Sequence, residues 1–303
     1  MTRTTNPVRF GISVGAQPFD KLVAVAQAAE ANGFSTISFA DQPPSPAPEA
    51  WTVASAIGAL TKKLVLTHAT LNVPFRHPAV TAKMAASLDT IAGSGRVELT
   101  MGAGGQQQQY ESYGLPYGTP GERFEGLRDA VAIMRGLWAN DTFSYDGPVY
   151  SVKDATIGVR PAGGSIPVWI GALGPRMMRY TGRVADGWMK NRGLPADMEE
   201  LRGLIALLET GAEQAGRDPR IIRRVLNSPA ALGEKAMESL ASGRAPGPAY
   251  TVVSPFQGTP EQVIDAIERF RDEGIDTFHF RIPEDHILDQ IPIFGEDIIP
   301  NLR

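Results

Sequence analysis

Eight short runs of β-branched or apolar residues alternate with longer stretches of helical periodicity along this 303-residue chain. Such alternation is typical of βαβ units that build a parallel sheet. Eight strands favour a closed barrel over a doubly wound sheet, so we predict an α/β fold, a (β/α)8 TIM barrel. The predicted strands are Phe10–Val14, Thr36–Ala40, Leu64–Thr70, Val97–Met101, Val168–Gly171, Gly187–Met189, Ile222–Asn227 and Thr277–Ile282.

Helical periodicity fills the segments between these strands, and the helix ends carry recognisable signals. Thr259-Pro260-Glu261-Gln262 places an N-cap before a proline, with Gln262 near the capping-box position. Glycine closes several helices, as at Gly216 and Gly274. The predicted helices are Asp20–Ala31, Glu49–Leu60, Ala79–Ile91, Glu122–Trp138, Arg176–Arg183, Asp197–Ala215 and Pro260–Glu273.

One segment, Asn140–Val168, breaks the alternation. It contains the turn Asp146-Gly147-Pro148, so we predict an insertion between the fourth helix and the fifth strand. The Gly/Pro-rich stretch Gly243–Pro248 punctuates the less regular C-terminal third. No internal repeat or linker marks a boundary, and TIM barrels reach this length as one unit, so we predict a single domain over residues 1–303.

Composition excludes several classes of function. With 33 acidic against 29 basic side chains and no basic cluster, the chain lacks the charge pattern that nucleic-acid binding requires. It has no cysteine and only four scattered histidines, so we predict no metal site. The segment Met1–Pro7 lacks the apolar core of a secretory signal, and no apolar run is long enough to cross a bilayer. We predict a cytoplasmic protein without a membrane partner.

Common nucleotide-binding motifs are absent from the sequence. There is no G-x-x-x-x-G-K-[ST] loop, which removes the phosphate cradle of most ATPases and GTPases. Gly102-Ala103-Gly104-Gly105 has Gln107 where a dinucleotide fingerprint needs its last glycine. A nicotinamide Rossmann site is therefore not predicted.

In a TIM barrel, the residues that follow each strand form the functional face. Val168–Arg176 runs from a strand through a small-residue turn into a helix N-terminus, whose backbone N–H groups and dipole favour a phosphate. An ordinary tight βα turn would show the same pattern, so both interpretations stay open. Lys190-Asn191-Arg192 follows the next strand and belongs to the same face.

Asp41 follows the second strand and precedes a stiff proline-rich loop, Pro43–Pro48. Its carboxylate could orient a bound ring or a substrate donor, while a solvated loop carboxylate or a helix cap is the alternative. On the last strand, alternation places His279 and Arg281 on the barrel side, opposite Phe278 and Phe280.

Arg281 lies near a strand end, where its guanidinium could bind an anionic substrate or cofactor through two hydrogen bonds. The same alternation places Glu98 inside the barrel. Because a buried charge needs a partner, we expect Glu98 to pair with Arg281 or His68.

These residues belong to a dense pattern of short segments spread over nearly the whole chain. The segments are Phe34–Asp41, Phe75–Val80 leading to Leu88-Asp89, Gly95–Leu99, Pro120–Glu125 followed by Leu137-Trp138, Pro167–Gly171 with Gly174–Arg176, Ala185–Trp188 and Gly258–Val263. In this pattern the chain resembles the luciferase-like monooxygenases and their deazaflavin-dependent reductase and dehydrogenase relatives.

The resemblance implies redox chemistry on a reduced flavin or on the 5-deazaflavin coenzyme F-420, bound at the barrel mouth. It implies a phosphate site at Gly171–Arg176, and a backbone bulge at Thr70–Asn72 that supports the ring, often through a non-proline cis peptide. The implied cofactor-binding residues are Thr70, Leu71, Asn72, Gly104, Gly105, Gln106, Gln108, Gly171, Ala172, Leu173, Gly174, Pro175 and Arg176. The candidate catalytic residues are Asp41, His68 and Arg281.

Three departures separate this chain from the pattern of these relatives. Deazaflavin relatives commonly have Asp-His after the second strand, whereas this chain has Asp41-Gln42. Many relatives carry an aromatic or acidic residue where this chain has Gly105 and Gln106, and the glutamate of sugar-phosphate dehydrogenases has no counterpart here. A sugar phosphate is therefore not the predicted substrate.

We predict an oxidoreductase that transfers a hydride between coenzyme F-420 and a small organic substrate, with the ring supplying the chemistry. One alternative is an FMN-dependent luciferase-like monooxygenase or reductase. Another is a non-catalytic flavin-binding protein, which the missing histidine and glutamate would explain. Since relatives are often dimers, a homodimer is expected.

Overall fold

The computed structural model describes residues 4–42, 45–190, 194–195, 197–242 and 254–302. Its strands are β1 (Arg9–Val14), β2 (Thr36–Phe39), β3 (Val65–His68), β4 (Leu71–Asn72), β5 (Leu99–Gly102), β6 (Phe143–Asp146), β7 (Ser151–Ala155), β8 (Val168–Ala172), β9 (Gly187–Lys190), β10 (Arg223–Pro229), β11 (Ala231–Leu232), β12 (Gln257–Gly258) and β13 (Thr277–Arg281). Its α-helices are α1 (Phe19–Ala31), α2 (Ala50–Leu60), α3 (Pro78–Ala92), α4 (Gln107–Glu111), α5 (Pro120–Ala139), α6 (Pro175–Val184), α7 (Met198–Gln214), α8 (Glu234–Ser242), α9 (Pro260–Asp272) and α10 (Ile287–Ile293).

All eight predicted strands and all seven predicted helices are present, with ends shifted by a few residues. The predicted strand Leu64–Thr70 is shorter than expected, since β3 spans Val65–His68 and a separate short strand, β4, follows at Leu71–Asn72. A non-proline cis peptide joins Ala69 to Thr70. The sequence did not predict α4, α8 or α10. The predictions for Pro43, Pro44, Asn191, Arg192 and residues 243–248 lie outside the described residues.

The chain divides into two compact units, which we call the first unit (1–38 and 169–303) and the second unit (39–168). This division does not test the expected single domain, which stays a prediction. None of the described helices is both long and apolar enough to cross a membrane.

In the first unit, six strands follow one another in the order β2-β1-β13-β10-β9-β8. Neighbouring strands run parallel in the pairs β1–β13, β13–β10, β10–β9 and β9–β8. Phe278 and Phe280 of β13 pack with Phe256, at ring-centroid distances of 5.9 and 5.4 Å. His279 lies on the other face and shares a hydrogen bond with Thr36, Nε2 to Oγ1, of 2.8 Å. The predicted alternation along the last strand is confirmed.

In the second unit, β4 pairs with β5 in parallel, and Leu66 of β3 makes a parallel bridge to Val97. The Trp138 indole of α5 donates to the carbonyl of Ala82, which joins α5 to α3. The predicted insertion is an antiparallel hairpin of β6 and β7. Asp129 of α5 anchors it, since its carboxylate accepts from the backbone N–H of Val149 at 2.9 Å.

Candidate functional site

Asp41 lies at the centre of a hydrogen-bond network in the second unit, only 2% exposed. Its carboxylate accepts two hydrogen bonds from the Arg76 guanidinium and one from the backbone N–H of Asn72, each of 2.9 Å. Arg76 also contacts Glu49, the N-cap of α2, at 2.9 Å. Because its oxygens are engaged in this way, Asp41 fixes the segment after β3 and does not act as a solvated loop carboxylate.

Asn72 ends the segment Thr70–Asn72, which the resemblance assigns to ring support. Its side-chain amide donates to the backbone carbonyl of Asp41 at 2.5 Å and accepts from the Tyr110 hydroxyl at 3.2 Å. The non-proline cis peptide that the resemblance implies is found at the start of this segment, between Ala69 and Thr70. The segment is therefore held by Asp41 at its backbone, by Tyr110 at the Asn72 side chain and by its pairing with β5.

Tyr110 also determines the position of the loop after β5. It is fully buried in α4, its ring lies 4.6 Å from that of Phe75, and burial raises the pKa of its hydroxyl, so the hydroxyl stays a donor. Gly104 has a φ of +96°, and a Cβ built there would lie 2.6 Å from the Tyr110 oxygen. Only glycine fits this position.

The remaining residues of that loop are exposed and held through side chains. The Tyr117 hydroxyl donates to the carbonyl of Gly105 at 2.8 Å, and the Gln109 amide donates to Gln106 at 3.0 Å. Gln106 and Gln108 are exposed. Of the four residues assigned to the loop wall, Gly104, Gly105 and Gln106 thus lie in one anchored loop, and Gln108 follows in the first turn of α4.

His68 lies between β3 and α2. Its ring centroid is 4.6 Å from that of Trp51, and Leu66, on the same face of β3, lies close to Gly58 of α2. Burial is the main reason that the pKa of His68 falls to about 4. Neither ring nitrogen has a hydrogen-bond partner within the part of the chain that the structure describes, so the expected pairing of Glu98 with His68 is wrong.

The buried histidines are expected to make the protein acid-sensitive from pH 6.5 down to about 4. Burial lowers the pKa of His68 to about 4 and that of His279 to about 3, from 6.5. Below pH 6.5 the unfolded chain takes up these protons and the folded chain does not. The free energy of unfolding then falls by about 1.4 kcal/mol per pH unit for each imidazole, and above pH 6.5 neither contributes a slope.

Urea unfolding of the wild type and of His68→Gln at pH 7, 6 and 5 measures this effect. The variant removes one of the two histidines, so its stability should fall less steeply with acidification. Parallel pH profiles for the two proteins would contradict a neutral, buried His68.

In the first unit, β8 runs into α6 through Gly171–Gly174, which is the predicted strand-turn-helix arrangement. The Trp188 indole donates to the carbonyl of Ala172 at 2.9 Å, which fixes the end of the strand. Gly174, the N-cap of α6, makes no side-chain cap hydrogen bond, and Gly174, Pro175 and Arg176 are exposed. The first turn of α6 therefore presents its backbone amides and its positive dipole end to solvent, which suits a phosphate.

Arg281 is the last residue of β13 and is half-buried. It lies in register with Pro229 at the end of β10, so it is near the carboxyl end of the strands of the first unit. Lys190 ends β9 and lies 3.5 Å from Glu200, and burial lowers its pKa. Across the described parts of the chain, no group of three or more His, Asp or Glu residues could hold a metal ion.

Sequence reasoning missed two residues that hold the candidate site in place. Arg76 belongs to the segment Phe75–Val80 that supports the resemblance, but nothing in the sequence linked it to Asp41. Tyr110 follows a run of glutamines without helical periodicity, so it had no sequence signal of its own.

Comparison with known proteins identifies the family and supports the fold. The family profile of the luciferase-like monooxygenases matches residues 4–258. The F420-dependent glucose-6-phosphate dehydrogenase of Microbacterium testaceum is 30% identical over 338 aligned positions, which cover 99% of this chain and 98% of that protein.

Two solved structures show the same fold. An F420-dependent secondary alcohol dehydrogenase in complex with an F420-acetone adduct has a TM-score of 0.85 at 23% identity, covering 98% of this chain and all of that one. The coenzyme F420-dependent tetrahydromethanopterin reductase from Methanopyrus kandleri has a TM-score of 0.82 at 21% identity, with coverage of 98% and 100%. The predicted α/β, TIM-barrel-like fold is confirmed.

Proposed function

This chain belongs to the luciferase-like monooxygenase family, and we propose that it is an oxidoreductase that transfers a hydride between coenzyme F-420 and a small organic substrate. The observation that carries the proposal is the match to an F420-dependent dehydrogenase over 99% of this chain and 98% of that relative. The predicted family and its F420-dependent branch are confirmed. The alternative of a non-catalytic flavin-binding protein finds no support among these relatives.

The residues present fit such a cofactor. The exposed first turn of α6, with Gly174, Pro175 and Arg176, offers backbone amides, a dipole end and a guanidinium to a phosphate. The segment Thr70–Asn72 offers a rigid backbone on which a ring can rest. When bound, the deazaflavin supplies a ring carbon that accepts or releases the hydride.

Within this proposal Asp41 is a positioning residue. Its three acceptor contacts leave it poorly placed to take a proton, so it orients Asn72 and, through Asn72, the ring-supporting backbone. Arg281, half-buried at the end of β13, is proposed to bind an anionic group of substrate or cofactor. His68 is proposed to stay neutral, because its pKa of about 4 keeps the imidazole unprotonated at neutral pH.

A sugar phosphate is not carried over from the relatives as the substrate. Gln42 stands where deazaflavin relatives commonly have histidine, and Gly105 and Gln106 stand where a glutamate occurs in the sugar-phosphate dehydrogenases. An exposed amide at Gln106 cannot act as a general base as a carboxylate can. We propose a small organic substrate whose oxidation or reduction needs no carboxylate from this loop. A homodimer and a cytoplasmic location remain predictions.

Parallel titration of the purified protein with oxidised coenzyme F-420 and with FMN tests the cofactor. We expect saturable changes in absorbance and fluorescence with coenzyme F-420 and tighter binding of it than of FMN. Arg176→Gln should weaken binding of coenzyme F-420 about three- to tenfold, since a phosphate contact is worth on the order of 1 kcal/mol.

Arg183→Gln is the matched control for that titration, because Arg183 is in the last turn of the same helix and contacts Gln214. It should bind coenzyme F-420 like the wild type. Tighter binding of FMN would favour the FMN-dependent alternative, and binding of neither ring would exclude the proposed cofactor.

A further inference from the structure

Among the described residues of the first unit, two glutamines are buried, and they differ in whether their side-chain amides are hydrogen-bonded. Gln290 of α10 is 5% exposed, and both ends of its amide are paired with one residue. Its Oε1 accepts from the backbone N–H of Leu232 at 2.7 Å, and its Nε2 donates to the carbonyl of Leu232 at 3.0 Å. A buried carboxamide in this protein is thus satisfied by a neighbouring N–H and C=O.

Gln17 is buried to the same extent, 6% exposed, but its amide is not paired. Neither Nε2 nor Oε1 has a hydrogen-bond partner among the residues that the structure describes. Burying a carboxamide without partners lowers stability, so a sequence under no other constraint would place an apolar side chain there. An unpaired buried amide of this kind calls for an explanation beyond folding.

The position of Gln17 points to a ligand. Gln17 lies between the end of β1 and the start of α1, on the side of the parallel strands where α/β barrels bind their substrates and cofactors. It does not cap α1, because the N-cap is Pro18 and no side-chain cap hydrogen bond is made there. The Gln17 amide therefore makes no hydrogen bond that stabilises the start of α1.

We propose that Gln17 binds the imide edge of the ring cofactor. The pyrimidine end of a deazaflavin carries a ring N–H between two carbonyls, so it offers a donor and an acceptor side by side. The Nε2 of Gln17 would donate to one ring carbonyl while Oε1 accepts from the ring N–H, the same pairing that Gln290 makes with Leu232. This inference rests on the proposed function. FMN has the same imide edge, so the inference applies to either ring.

The decisive variant is Gln17→Met, which keeps the shape of the side chain and removes both polar atoms. In the absence of cofactor its thermal midpoint should lie above that of the wild type, because an unpaired buried amide is gone. Its Kd for coenzyme F-420 should be about ten- to a hundredfold larger, since two hydrogen bonds are lost. A gain in stability together with a loss of binding is what a purely structural role cannot produce.

Gln290→Met is the matched control. It removes an equally buried amide whose partners are backbone groups, so its thermal midpoint should fall while its Kd for coenzyme F-420 stays within about threefold of the wild type. A Gln17→Met protein that is less stable than the wild type, that fails to fold, or that binds coenzyme F-420 as the wild type does would overturn the inference.

A change in the ligand gives an independent test. A deazaflavin methylated at the imide nitrogen has lost the ring N–H, so it should bind the wild type about tenfold less tightly than the parent ring. Gln17→Met should bind the two rings equally, because it no longer has the acceptor that the N–H requires. If the wild type binds neither coenzyme F-420 nor FMN, the proposed function fails. If it binds a ring that Gln17→Met binds equally well, only the present inference fails.

Discussion

Replacing Gly211 with alanine is expected to lower the free energy of unfolding by roughly 3 kcal/mol or more. Gly211 lies in α7 where that helix packs against α6, and a Cβ built there would be 2.0 Å from the carbonyl oxygen of Arg179. The packing is reciprocal, because a Cβ at Gly182 of α6 would be 2.0 Å from the carbonyl oxygen of Leu208. Both obstacles are backbone atoms, so neither can rotate away, and the two helices must move apart.

Gly203 is the control on the same helix. It is exposed, and a Cβ there would meet no atom within 4 Å. Alanine at this position should raise the free energy of unfolding by up to about 1 kcal/mol, because alanine has the higher helix propensity. Urea unfolding of the three proteins measures both effects. Equal midpoints for Gly211→Ala and the wild type would mean that α6 and α7 are not packed as closely as the structure shows.

The same change has a functional consequence. The helix α6 presents Gly174, Pro175 and Arg176 at its first turn, and its contact with α7 fixes the direction of that turn. A shift of α6 away from α7 would move the amides proposed to bind the phosphate. We expect Gly211→Ala to weaken binding of coenzyme F-420, measured under conditions where the variant is folded, and Gly203→Ala to leave it unchanged.

The strands and most helices could be predicted because their signals are local. Alternation along Thr277–Ile282 gave the correct faces of Phe278, His279 and Phe280, since side chains of a strand point to opposite sides in turn. The capping box at the start of α9 was also predicted correctly. The Thr259 hydroxyl accepts from the backbone N–H of Gln262 at 3.4 Å, and the Gln262 side-chain oxygen accepts from the backbone N–H of Thr259 at 2.9 Å. Such features need only neighbouring residues.

The missed elements lack these local signals. The helix α4 has only five residues and begins in a run of glutamines, and α10 contains Pro292, whose ring disfavours a helix interior. Of the two partners expected for Glu98, Arg281 and His68, the second is wrong, because burial alone does not show which residue lies next to a side chain. His68 shares its face of β3 with Leu66, which lies against α2, and its ring lies against Trp51 of the same helix.

The contacts of the candidate site are long-range in sequence. Arg76 reaches Asp41 across 35 positions, and Tyr110 reaches Asn72 across 38. No periodicity predicts such pairs, because they depend on how loops are brought together by the strands below them. The sequence therefore named Asp41 and Asn72 as candidate site residues but not the groups that hold them in place.

Removing the charge of Asp41 is expected to have the largest effect of any single change in the second unit. Asp41→Asn leaves the Arg76 guanidinium without its buried partner and replaces a carboxylate oxygen that accepts from the Asn72 backbone. Breaking a buried ion pair from one side costs about 3–5 kcal/mol. Arg76 keeps only its contact with the half-exposed Glu49, so we expect a loss toward the lower end of that range. The segment proposed to support the ring, Thr70–Asn72, also loses its anchor, so we expect the affinity for coenzyme F-420 to fall together with stability.

Arg76 contacts two carboxylates, so a second variant can separate loss of the buried Asp41–Arg76 pair from loss of any negative charge near Arg76. The Glu49 side chain is 49% exposed, so Glu49→Gln should change the free energy of unfolding by about 1 kcal/mol or less. If the pair with Asp41 is the cause, Asp41→Asn combined with Arg76→Gln should cost clearly less than the sum of the two single changes. Additive effects would mean that Asp41 stabilises the protein through Asn72 alone, and the anchoring of the segment would then depend on its backbone contact and not on the guanidinium.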